Sequence, residues 1–450
     1  MMRISATISH HIWNVHNISV NYEPIQMRFL YLMLVLLVAR QVCAQRRPER
    51  QEWTNWAGNQ VCYPLVIKAP TSLPDLLTLV RVADARRVPL RVAGTGHSWS
   101  DVVCTPGYLV NMSHFNRVLE VDHATYRVKV EAGMVLEPLI EALYAAGLSL
   151  PNEGTIDRQT IAGAVATATH GTGKTGTMSS FVVGVELITA KGEFLTINEN
   201  SHLLPAARMA LGSLGIVYSL TLQCEPSFAT VDAYAYTNLA SILQTYPLYL
   251  EANDYFKFLW NPYTDNVTIY TSNKVPPNEG ERMFVEIREL EEDASLQDDM
   301  PNQVKRWEEE IAVPNRHLAA ALLDIKAYLA YYLQRGVKIH GDVKCRFVEQ
   351  DEDSLLSPTS DGAKVYVSIS ILPSESFNTK TFFLGYEDVM LPFGGRPHWG
   401  KINFLEYDLA SQLYGPDLDR FIAIRRRLDP HGTFDNAFTR RVLTPPRLAR

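Results

Sequence analysis

The amino-acid sequence predicts an α+β fold of two or three domains. Its 450 residues are 46% hydrophobic, which is enough apolar surface to build more than one core. From Asn55 onwards, short segments of alternating polarity are interspersed with segments whose apolar residues recur every three or four positions. The first pattern is typical of β-strands and the second of amphipathic helices.

The strands and helices are predicted from these patterns in chain order. Proline and glycine mark most of the boundaries, as Pro89 does at the start of a short strand and Gly147 at the end of a helix. Strands are expected within residues 61–67, 88–92, 109–111, 118–121, 126–131, 182–188, 193–197 and 211–222, and helices from 71, over 136–146, over 316–333 and over 416–428. Residues 276–313 are polar and acidic, and we interpret them as a solvated linker or surface helix.

The strand over 88–92 runs into a loop of small residues that carries a histidine. The loop reads Gly94, Thr95, Gly96, His97 and Ser98. Small residues let the backbone approach a ligand closely and point its N–H groups at an anion. Such a loop is also common in plain turns, so by itself it indicates a phosphate-bearing cofactor only weakly.

A second segment of small residues strengthens that interpretation. Residues 161–173 are all Gly, Ala, Thr, Val or Ile apart from His170, and they offer little surface for a core helix. They suit a backbone that lies against a planar or phosphorylated ligand, with hydroxyl donors from Thr167, Thr169 and Thr172. A tightly packed Ala/Gly helix is the alternative.

Composition excludes some functions and indicates a compartment. The net charge of −7, with no basic arm and no zinc-type cysteine spacing, argues against a nucleic-acid partner. The five cysteines are too few and too scattered to predict a disulfide framework. Residues 29–39 are apolar but too short to cross a bilayer, and small residues follow at 42–44. Residues 1–44 are therefore expected to be an upstream extension with a signal peptide or a short membrane anchor, which predicts the secretory pathway.

Five motifs carry a resemblance to a known family. They are Gly-Thr-Gly-His-Ser at 94–98, Thr-His-Gly-Thr-Gly at 169–173, Leu-Gly-Ser-Leu-Gly-Ile at 211–216, Tyr-Phe-Lys-Phe-Leu-Trp-Asn-Pro at 255–262 and Gly-Gly-Arg-Pro-His-Trp-Gly-Lys at 394–401. On these the chain resembles the vanillyl-alcohol-oxidase-type flavoproteins, and within them the aldonolactone oxidases that include the gulonolactone oxidases.

The resemblance implies a domain organisation and a cofactor. It implies an FAD-binding domain of two subdomains (PCMH type) over 54–227, a middle cap or substrate domain over 228–392, and a C-terminal segment over 393–450 that returns to the FAD domain. FAD is expected to be bonded covalently to His97. The residues expected to bind it are Gly94, Thr95, Gly96, His97, Ser98, Gly163, Thr167, Thr169, His170, Gly171, Thr172, Gly215 and Val217.

The resemblance also implies an activity, the oxidation of a sugar 1,4-lactone with hydride passing to flavin and oxygen reduced to hydrogen peroxide. Arg346 and Lys401 match family positions that lie near the substrate and the flavin, and His398 could orient the substrate. The chain departs from the family at Lys344, where a glutamate is usual. Three cations around one pocket need a compensating anion or a shifted pKa. Asp342 or Glu349 could replace the glutamate by a shift of register, or Lys344 could point to solvent instead.

That departure leaves other functions open. Lys344 makes an oxidase of another polyol or sugar possible, and also a flavin-binding protein with weakened catalysis. The family's gulonolactone oxidases have a long apolar insertion where this chain has acidic residues near 281–313. The body is therefore expected to lie free in the lumen, with membrane association possible through the N-terminus.

Overall fold

A computed structural model describes residues 50–277, 281–282, 305–374 and 377–446, together with residues 31 and 33. Almost all of the predicted signal or anchor segment lies outside these residues. Within them, no helix is both long and apolar enough to cross a membrane. Residues 51–450 form one compact unit.

The first part of this unit, residues 51–226, contains short strands, three helices and one helical turn. The strands are Trp53–Thr54 (β1), Val61–Cys62 (β2), Val66–Lys68 (β3), Leu90–Ala93 (β4), Tyr108–Asn111 (β5), Val118–Asp122 (β6), Arg127–Glu131 (β7), Leu148–Ser149 (β8), Val182–Ile188 (β9), Phe194–Asn198 (β10), Ile216–Gln223 (β11) and Glu225–Pro226 (β12). The helices are Leu73–Arg86 (α1), Leu136–Ala145 (α2), Ile161–Ala166 (α3) and the single turn Leu204–Ala207 (α4).

These strands form two main sheets. A parallel sheet of three strands has the order β3-β5-β4, and an antiparallel sheet of five has the order β10-β9-β11-β7-β6. Strand β4 begins directly after Pro89, as the sequence predicted, because proline cannot donate to a sheet ladder. The predicted hairpin of β9 and β10 is confirmed.

The second part contains the longest strands and helices. The strands are Ala229–Asn238 (β13), Tyr255–Trp260 (β14), Asn266–Val275 (β15), Glu281–Arg282 (β16), Trp307–Pro314 (β17), Val343–Val348 (β18), Lys364–Ile371 (β19) and Arg396–Pro397 (β20). The helices are Leu239–Ala252 (α5), Leu318–Leu333 (α6), Thr379–Met390 (α7), Tyr407–Tyr414 (α8), Pro416–Leu428 (α9) and Ala437–Leu443 (α10).

Strands β13 to β20 form one antiparallel sheet of eight strands in the order β16-β13-β15-β14-β18-β19-β17-β20. Side chains alternate between its two faces, as they must along a strand. On one face Val343, Cys345 and Phe347 of β18 are buried in a core that also contains residues of α6 and α7. On the other face β18 presents Lys344 and Arg346, so the sheet separates an apolar core from a charged surface.

Strand β17 corrects the interpretation of residues 276–313 as a solvated linker or surface helix. Residues 307–314 are a strand between β19 and β20, and Glu308, Glu309 and Glu310 are all buried. Three consecutive glutamates look solvated in a sequence, but here two of them are neutralised by cations from neighbouring segments. The remainder of the acidic stretch, apart from residues 276–277, 281–282 and 305–306, lies outside the described residues.

The small-residue run 161–173 combines both of the structures considered for it. Ile161–Ala166 forms the short helix α3, whose Ile161, Ala164 and Val165 are buried, so the Ala/Gly helix is correct for this half. Residues 167–173 are not helical and form a loop. Small side chains therefore serve both close packing and close approach of the backbone.

A disulfide joins Cys62 to Cys104, which corrects the expectation drawn from the scattered cysteines. Their separation of 42 residues in the sequence gave no sign of the pairing. The bridge ties the segment that contains β1 and β2 to the region after the His97 loop.

The C-terminal segment packs against the first part of the chain, as the resemblance implied. The Leu90 N–H donates to the carbonyl oxygen of Thr433 over 2.7 Å, and the Trp99 N–H donates to that of Gly400 over 2.7 Å. Arg91, which is buried, donates to the carbonyl of Phe434 over 2.9 Å. The chain leaves the sheets of the first part at Pro226 and enters the eight-stranded sheet at Ala229, but β20 extends that sheet beyond residue 392. The exact domain limits therefore stay a prediction.

Candidate active site

Two cavities meet at the His97 loop. The first encloses about 1010 Å³ and the second about 630 Å³, part of each open to solvent. Both are lined by His97, Ser98, Gln159 and Thr167. A ligand that fills the first cavity therefore reaches the second at the imidazole.

The first cavity is lined by backbone and small side chains from both loops that the sequence singled out. The predicted cofactor-binding residues that lie along it are Gly94, Thr95, Gly96, His97, Ser98, Gly163, Thr167, Gly215 and Val217. At Gly94 a Cβ atom would lie 2.3 Å from the Thr160 Oγ1 atom, so no larger residue fits there without a shift. Gly96 has a positive φ of 80°, which favours glycine.

This cavity fits FAD on two observations. The loop after β4 exposes a run of small residues that can direct N–H groups at a diphosphate. The Nδ1 atom of His97 is buried and has no hydrogen-bond partner, an uncommon state for a buried polar atom. The edge of a flavin ring at this position would give His97 Nδ1 a partner.

Two separate segments, residues 55–56 and the one that contains Arg306, hold the His97 loop in place. The Trp56 ring stacks on the His97 imidazole with centroids 5.6 Å apart, and the Trp56 N–H donates to the Gly96 carbonyl over 2.9 Å. The Asn55 side-chain amide donates to the Ser98 carbonyl over 2.9 Å. The Trp99 indole donates to the carbonyl of Arg306 over 2.9 Å. The imidazole is thus positioned before any cofactor binds.

The surroundings of His97 keep its ring neutral. Burial, with Lys401 and Arg158 nearby, lowers the pKa of His97 to about 4. At neutral pH its ring nitrogens therefore retain a lone pair, which a nucleophile requires.

The second cavity is formed where the charged face of the eight-stranded sheet meets the two loops. Lys344 on β18 lies opposite Ser368 on β19, which lies opposite Glu310 on β17. On the same face, Glu308 lies one step to one side of this row and Arg346 one step to the other. The predicted catalytic residues Lys344, Arg346, His398 and Lys401 all line this cavity.

Lys401 forms a buried ion pair in this cavity. Its Nζ atom lies 2.7 Å from the Glu308 Oε1 atom and 4.3 Å from the centroid of the Trp99 ring. Burial lowers the pKa of Lys401, and the Glu308 carboxylate opposes that shift. The pair places an ammonium group directly behind the His97 loop.

Arg346 is held by a second carboxylate. Its Nη2 atom pairs with Glu310, its Nη1 atom donates to Thr155 Oγ1 over 3.0 Å, and Glu310 is fully buried. Burial raises the pKa of Glu310, but Arg346 and His170 outweigh burial and hold the pKa well below its usual range. The carboxylate therefore stays ionised and fixes the guanidinium.

Two further histidines of the cavity, His170 and His398, are oriented by neighbouring side chains and backbone. His170 Nε2 lies 3.3 Å from Glu310 Oε2, and its ring stacks on Tyr366 with centroids 3.7 Å apart. His398 Nδ1 accepts a hydrogen bond from the Gly400 N–H over 2.9 Å, and burial lowers its pKa to about 3. A neutral His398 that accepts at Nδ1 carries its proton on Nε2 and is a donor.

Not all predicted cofactor residues reach the first cavity. Thr169 and His170 line the second cavity instead. Gly171 and Thr172 line neither. Thr172 accepts from the Phe347 N–H over 3.0 Å and donates to the Phe256 carbonyl, so it joins the loop to β18 and β14. That Gly171 and Thr172 bind the cofactor stays a prediction.

The compensating anions come from a strand that the sequence did not indicate. Glu308 and Glu310 line the second cavity, whereas Asp342 and Glu349 do not. Glu349 is exposed. The signal that could have revealed β17 is the buried run after it, since Ile311, Ala312 and Val313 continue the strand. Alternation from these residues would have placed Glu308 and Glu310 on one face.

The chain matches two family models. One, described as an FAD binding domain, covers residues 64–198, and the other, described as D-arabinono-1,4-lactone oxidase, covers residues 220–299 and 288–442. Together these matches extend over most of the described chain.

Two relatives match along nearly their whole length. The chain is 33% identical over 432 residues to an L-gulono-1,4-lactone dehydrogenase of Mycobacterium tuberculosis, which covers 87% of this chain and 99% of that protein. It is 31% identical over 434 residues to the L-gulonolactone oxidase of Bos taurus, covering 87% and 98%.

A solved structure shares the fold. The crystal structure of cholesterol oxidase from B. sterolicum superposes with a TM-score of 0.71 at 15% identity, covering 88% of this chain and 97% of that one. At this identity the likeness concerns the fold alone. It confirms the predicted α+β fold with a PCMH-type FAD-binding domain.

Proposed function

The chain belongs to the aldonolactone oxidase family of FAD-dependent oxidoreductases, and we propose that it oxidises a sugar 1,4-lactone of the L-gulono-1,4-lactone or D-arabinono-1,4-lactone type. The observation that carries this proposal is the junction of the two cavities at His97. A cofactor in the first cavity presents its reactive end to a second, charged cavity that is large enough to admit a small sugar.

FAD bound along the first cavity would supply two-electron redox chemistry: it would accept a hydride from the hydroxyl-bearing carbon while the hydroxyl proton passes to solvent, and the two electrons with two protons would then reduce oxygen to hydrogen peroxide. The residues around it supply charge and orientation. Lys401 and Arg346 place two fixed cations beside the His97 loop. Such preorganised cations stabilise negative charge that develops during the reaction.

The carboxylates and His398 orient the substrate. Glu308 and Glu310 are ionised, because neighbouring cations lower the pKa of each below its usual range. They can accept hydrogen bonds from sugar hydroxyl groups, and the Nε2–H of His398 can donate one. The cavity thus offers both donors and acceptors to a polyhydroxylated ring.

His97 is the proposed site of covalent attachment. Its unpartnered, buried Nδ1 and its lowered pKa support a neutral ring nitrogen that could bond to the flavin 8α-methyl carbon. A methyl C–H bond would break, its proton would leave, and its two electrons would reduce the flavin ring, which oxygen would reoxidise. Trp56 stacks on the same ring and fixes its plane. The bond itself is the step that distinguishes tethered from merely bound FAD.

A second candidate is oxidation of another polyol or sugar. Lys344 lines the substrate cavity, so the cavity differs from the family pattern at the point where hydroxyl groups would bind. A flavin-binding protein with weakened catalysis has less support, because Glu308 and Glu310 restore carboxylates to that cavity.

The test is a panel of 1,4-lactones and polyols offered to purified, yellow protein, with hydrogen peroxide measured. Peroxide formed from a 1,4-lactone, and abolished in Arg346→Met, is the expected result. Arg127→Met is the control for loss of an arginine. The Arg127 side chain is 35% exposed and lies outside both cavities. A polyol oxidised in preference to every lactone would favour the second candidate, and no peroxide from any compound would refute both.

We propose further that residues 1–44 direct the chain into the secretory pathway. The apolar run 29–39 supports this, and so does the Cys62–Cys104 disulfide, because such bridges persist in oxidising compartments. Asn111 and Asn266 each begin an Asn-X-Ser/Thr triplet, and both are exposed and can be glycosylated there. A mass decrease on glycosidase treatment of the expressed full chain is expected, and an unglycosylated chain retained in the cytosol would contradict the proposal.

A further inference from the structure

We infer that Glu308 positions the substrate: its carboxylate binds the substrate's hydroxyl groups from strand β17, in place of a carboxylate at position 344. This inference rests on the proposed lactone oxidation. Position 344 is where the family pattern led us to expect a glutamate, and this chain has a lysine there. The structure supplies a carboxylate from a different strand of the same sheet, facing the same cavity.

The contacts of Glu308 show that it is built into the cavity. It is 4% exposed and lies in the register row next to that of Glu310. Its Oε1 atom receives the Lys401 ammonium at 2.7 Å and lies 3.4 Å from the Ser368 hydroxyl oxygen. Its Oε2 atom lies 3.7 Å from Arg306 Nε. The carboxylate is thus held in one orientation beside the space where a substrate would lie.

The charge around the cavity explains why a carboxylate is needed at this point. Four cations line it, namely Arg306, Lys344, Arg346 and Lys401, against the two carboxylates Glu308 and Glu310. Glu310 is already engaged by Arg346, His170 and Ser368. The Glu310 side chain also has no exposed surface, whereas the Glu308 side chain is 5% exposed. Glu308 is therefore the carboxylate that pairs with Lys401 and can also reach a ligand in the cavity.

Glu308 is suited to accept a hydrogen bond from a substrate hydroxyl group rather than to remove the proton of that group. Burial raises the pKa of its carboxyl, but Lys401, Lys344 and Arg306 outweigh burial and lower the pKa to about 2. A carboxylate of such low basicity accepts hydrogen bonds at neutral pH without becoming protonated. Its effect should accordingly appear in substrate selection.

The experiment compares Glu308→Gln with Glu309→Gln in the flavin-loaded enzyme. Glu309 is the next residue on β17, but it lies on the opposite face of the sheet, beside Glu387 of α7. Both variants are assayed with two 1,4-lactones that differ in configuration at one hydroxyl-bearing carbon. A hydrogen bond to a charged group contributes enough that Glu308→Gln should lower kcat/KM by about 10- to 100-fold for the preferred lactone, mainly through KM.

The ratio of kcat/KM for the two lactones separates positioning from a purely structural role. If Glu308 binds a substrate hydroxyl, Glu308→Gln compresses this ratio, while Glu309→Gln leaves it unchanged. If Glu308 merely holds Lys401, both lactones lose the same factor and the ratio stays constant, which would overturn the inference.

A second variant keeps the test valid if Glu308→Gln folds poorly. Restoring a carboxylate at position 344 in Lys344→Glu/Glu308→Gln should reverse part of the rise in KM caused by Glu308→Gln or, where that single variant does not fold, give a KM close to that of the wild type, with retained flavin absorbance as the measure of folding. No recovery in a yellow, folded double variant would overturn the inference. A wild-type enzyme inactive on all lactones would instead refute the proposed function, so the two failures are distinguishable.

Discussion

The buried pair of Arg346 and Glu310 should prove to be strongly coupled. Glu310 is fully buried and the Arg346 side chain is 11% exposed, so each charge depends on the other for compensation. Ser368 Oγ at 3.0 Å and His170 Nε2 at 3.3 Å complete the carboxylate's contacts. Substitution of Glu310→Gln keeps the shape of the side chain and removes its charge.

The expected magnitude follows from the cost of an uncompensated buried charge. Removing one partner of a buried ion pair costs about 3–5 kcal/mol, whereas removing both is often close to neutral. Glu310→Gln and Arg346→Met should each lower the free energy of unfolding by about that amount. The double variant should lose less than the sum of the two by about 2 kcal/mol or more.

The assay is guanidinium unfolding of the four proteins in a double-mutant cycle, followed by tryptophan fluorescence. The control cycle uses Arg127 and Glu199, a pair of the same chemistry at 2.7 Å that is largely exposed. Its coupling should be below about 1 kcal/mol. Equal coupling in the two cycles would refute the argument that burial makes the Arg346–Glu310 pair strong.

Three further predictions concern the tether, the disulfide and pH. His97→Ala should release flavin into the supernatant on acid precipitation, while the wild type and the exposed-histidine control His114→Ala retain it in the pellet; retention in His97→Ala would exclude the bond. Cys62→Ser should lower the free energy of unfolding by about 4 kcal/mol, since the bridge closes a loop of 42 residues; Cys104→Ser should match it, and a loss in only one variant would contradict this. Glu308, with its pKa lowered from 4.5 to about 2, should contribute about 3 kcal/mol that is present above pH 4.5 and is lost as the pH falls towards 2. Acid unfolding of Glu308→Gln should therefore depend less on pH over that range, and an unchanged dependence would count against the pairing.

The cofactor side of the site could be predicted from the sequence because its signal is local. The strand after Pro89 and the loop from Gly94 to Ser98 are contiguous, so the small residues and the histidine of the loop are visible together in the sequence. The predicted helix–strand order held for the same reason. Each of these elements depends mainly on its own residues.

The substrate side could be predicted only in part because its signal is not local. Arg346 and Lys401 could be placed through the family motifs, but their counter-ions come from β17, whose neighbours in the sheet are β19 and β20. No spacing in the chain relates Glu308 to Lys401, which is 93 residues away. A run of glutamates is buried here only because cations from other segments surround it, and a sequence does not show that convergence.

The most direct measurement of the central claim is anaerobic mixing of the purified yellow protein with a 1,4-lactone while flavin absorbance is followed. We expect the lactone to decrease the absorbance of oxidised flavin, and the absorbance to return when oxygen is admitted. We expect no such decrease in Arg346→Met. Flavin that stays oxidised with every lactone tested, in a protein that retains its cofactor, would contradict the account.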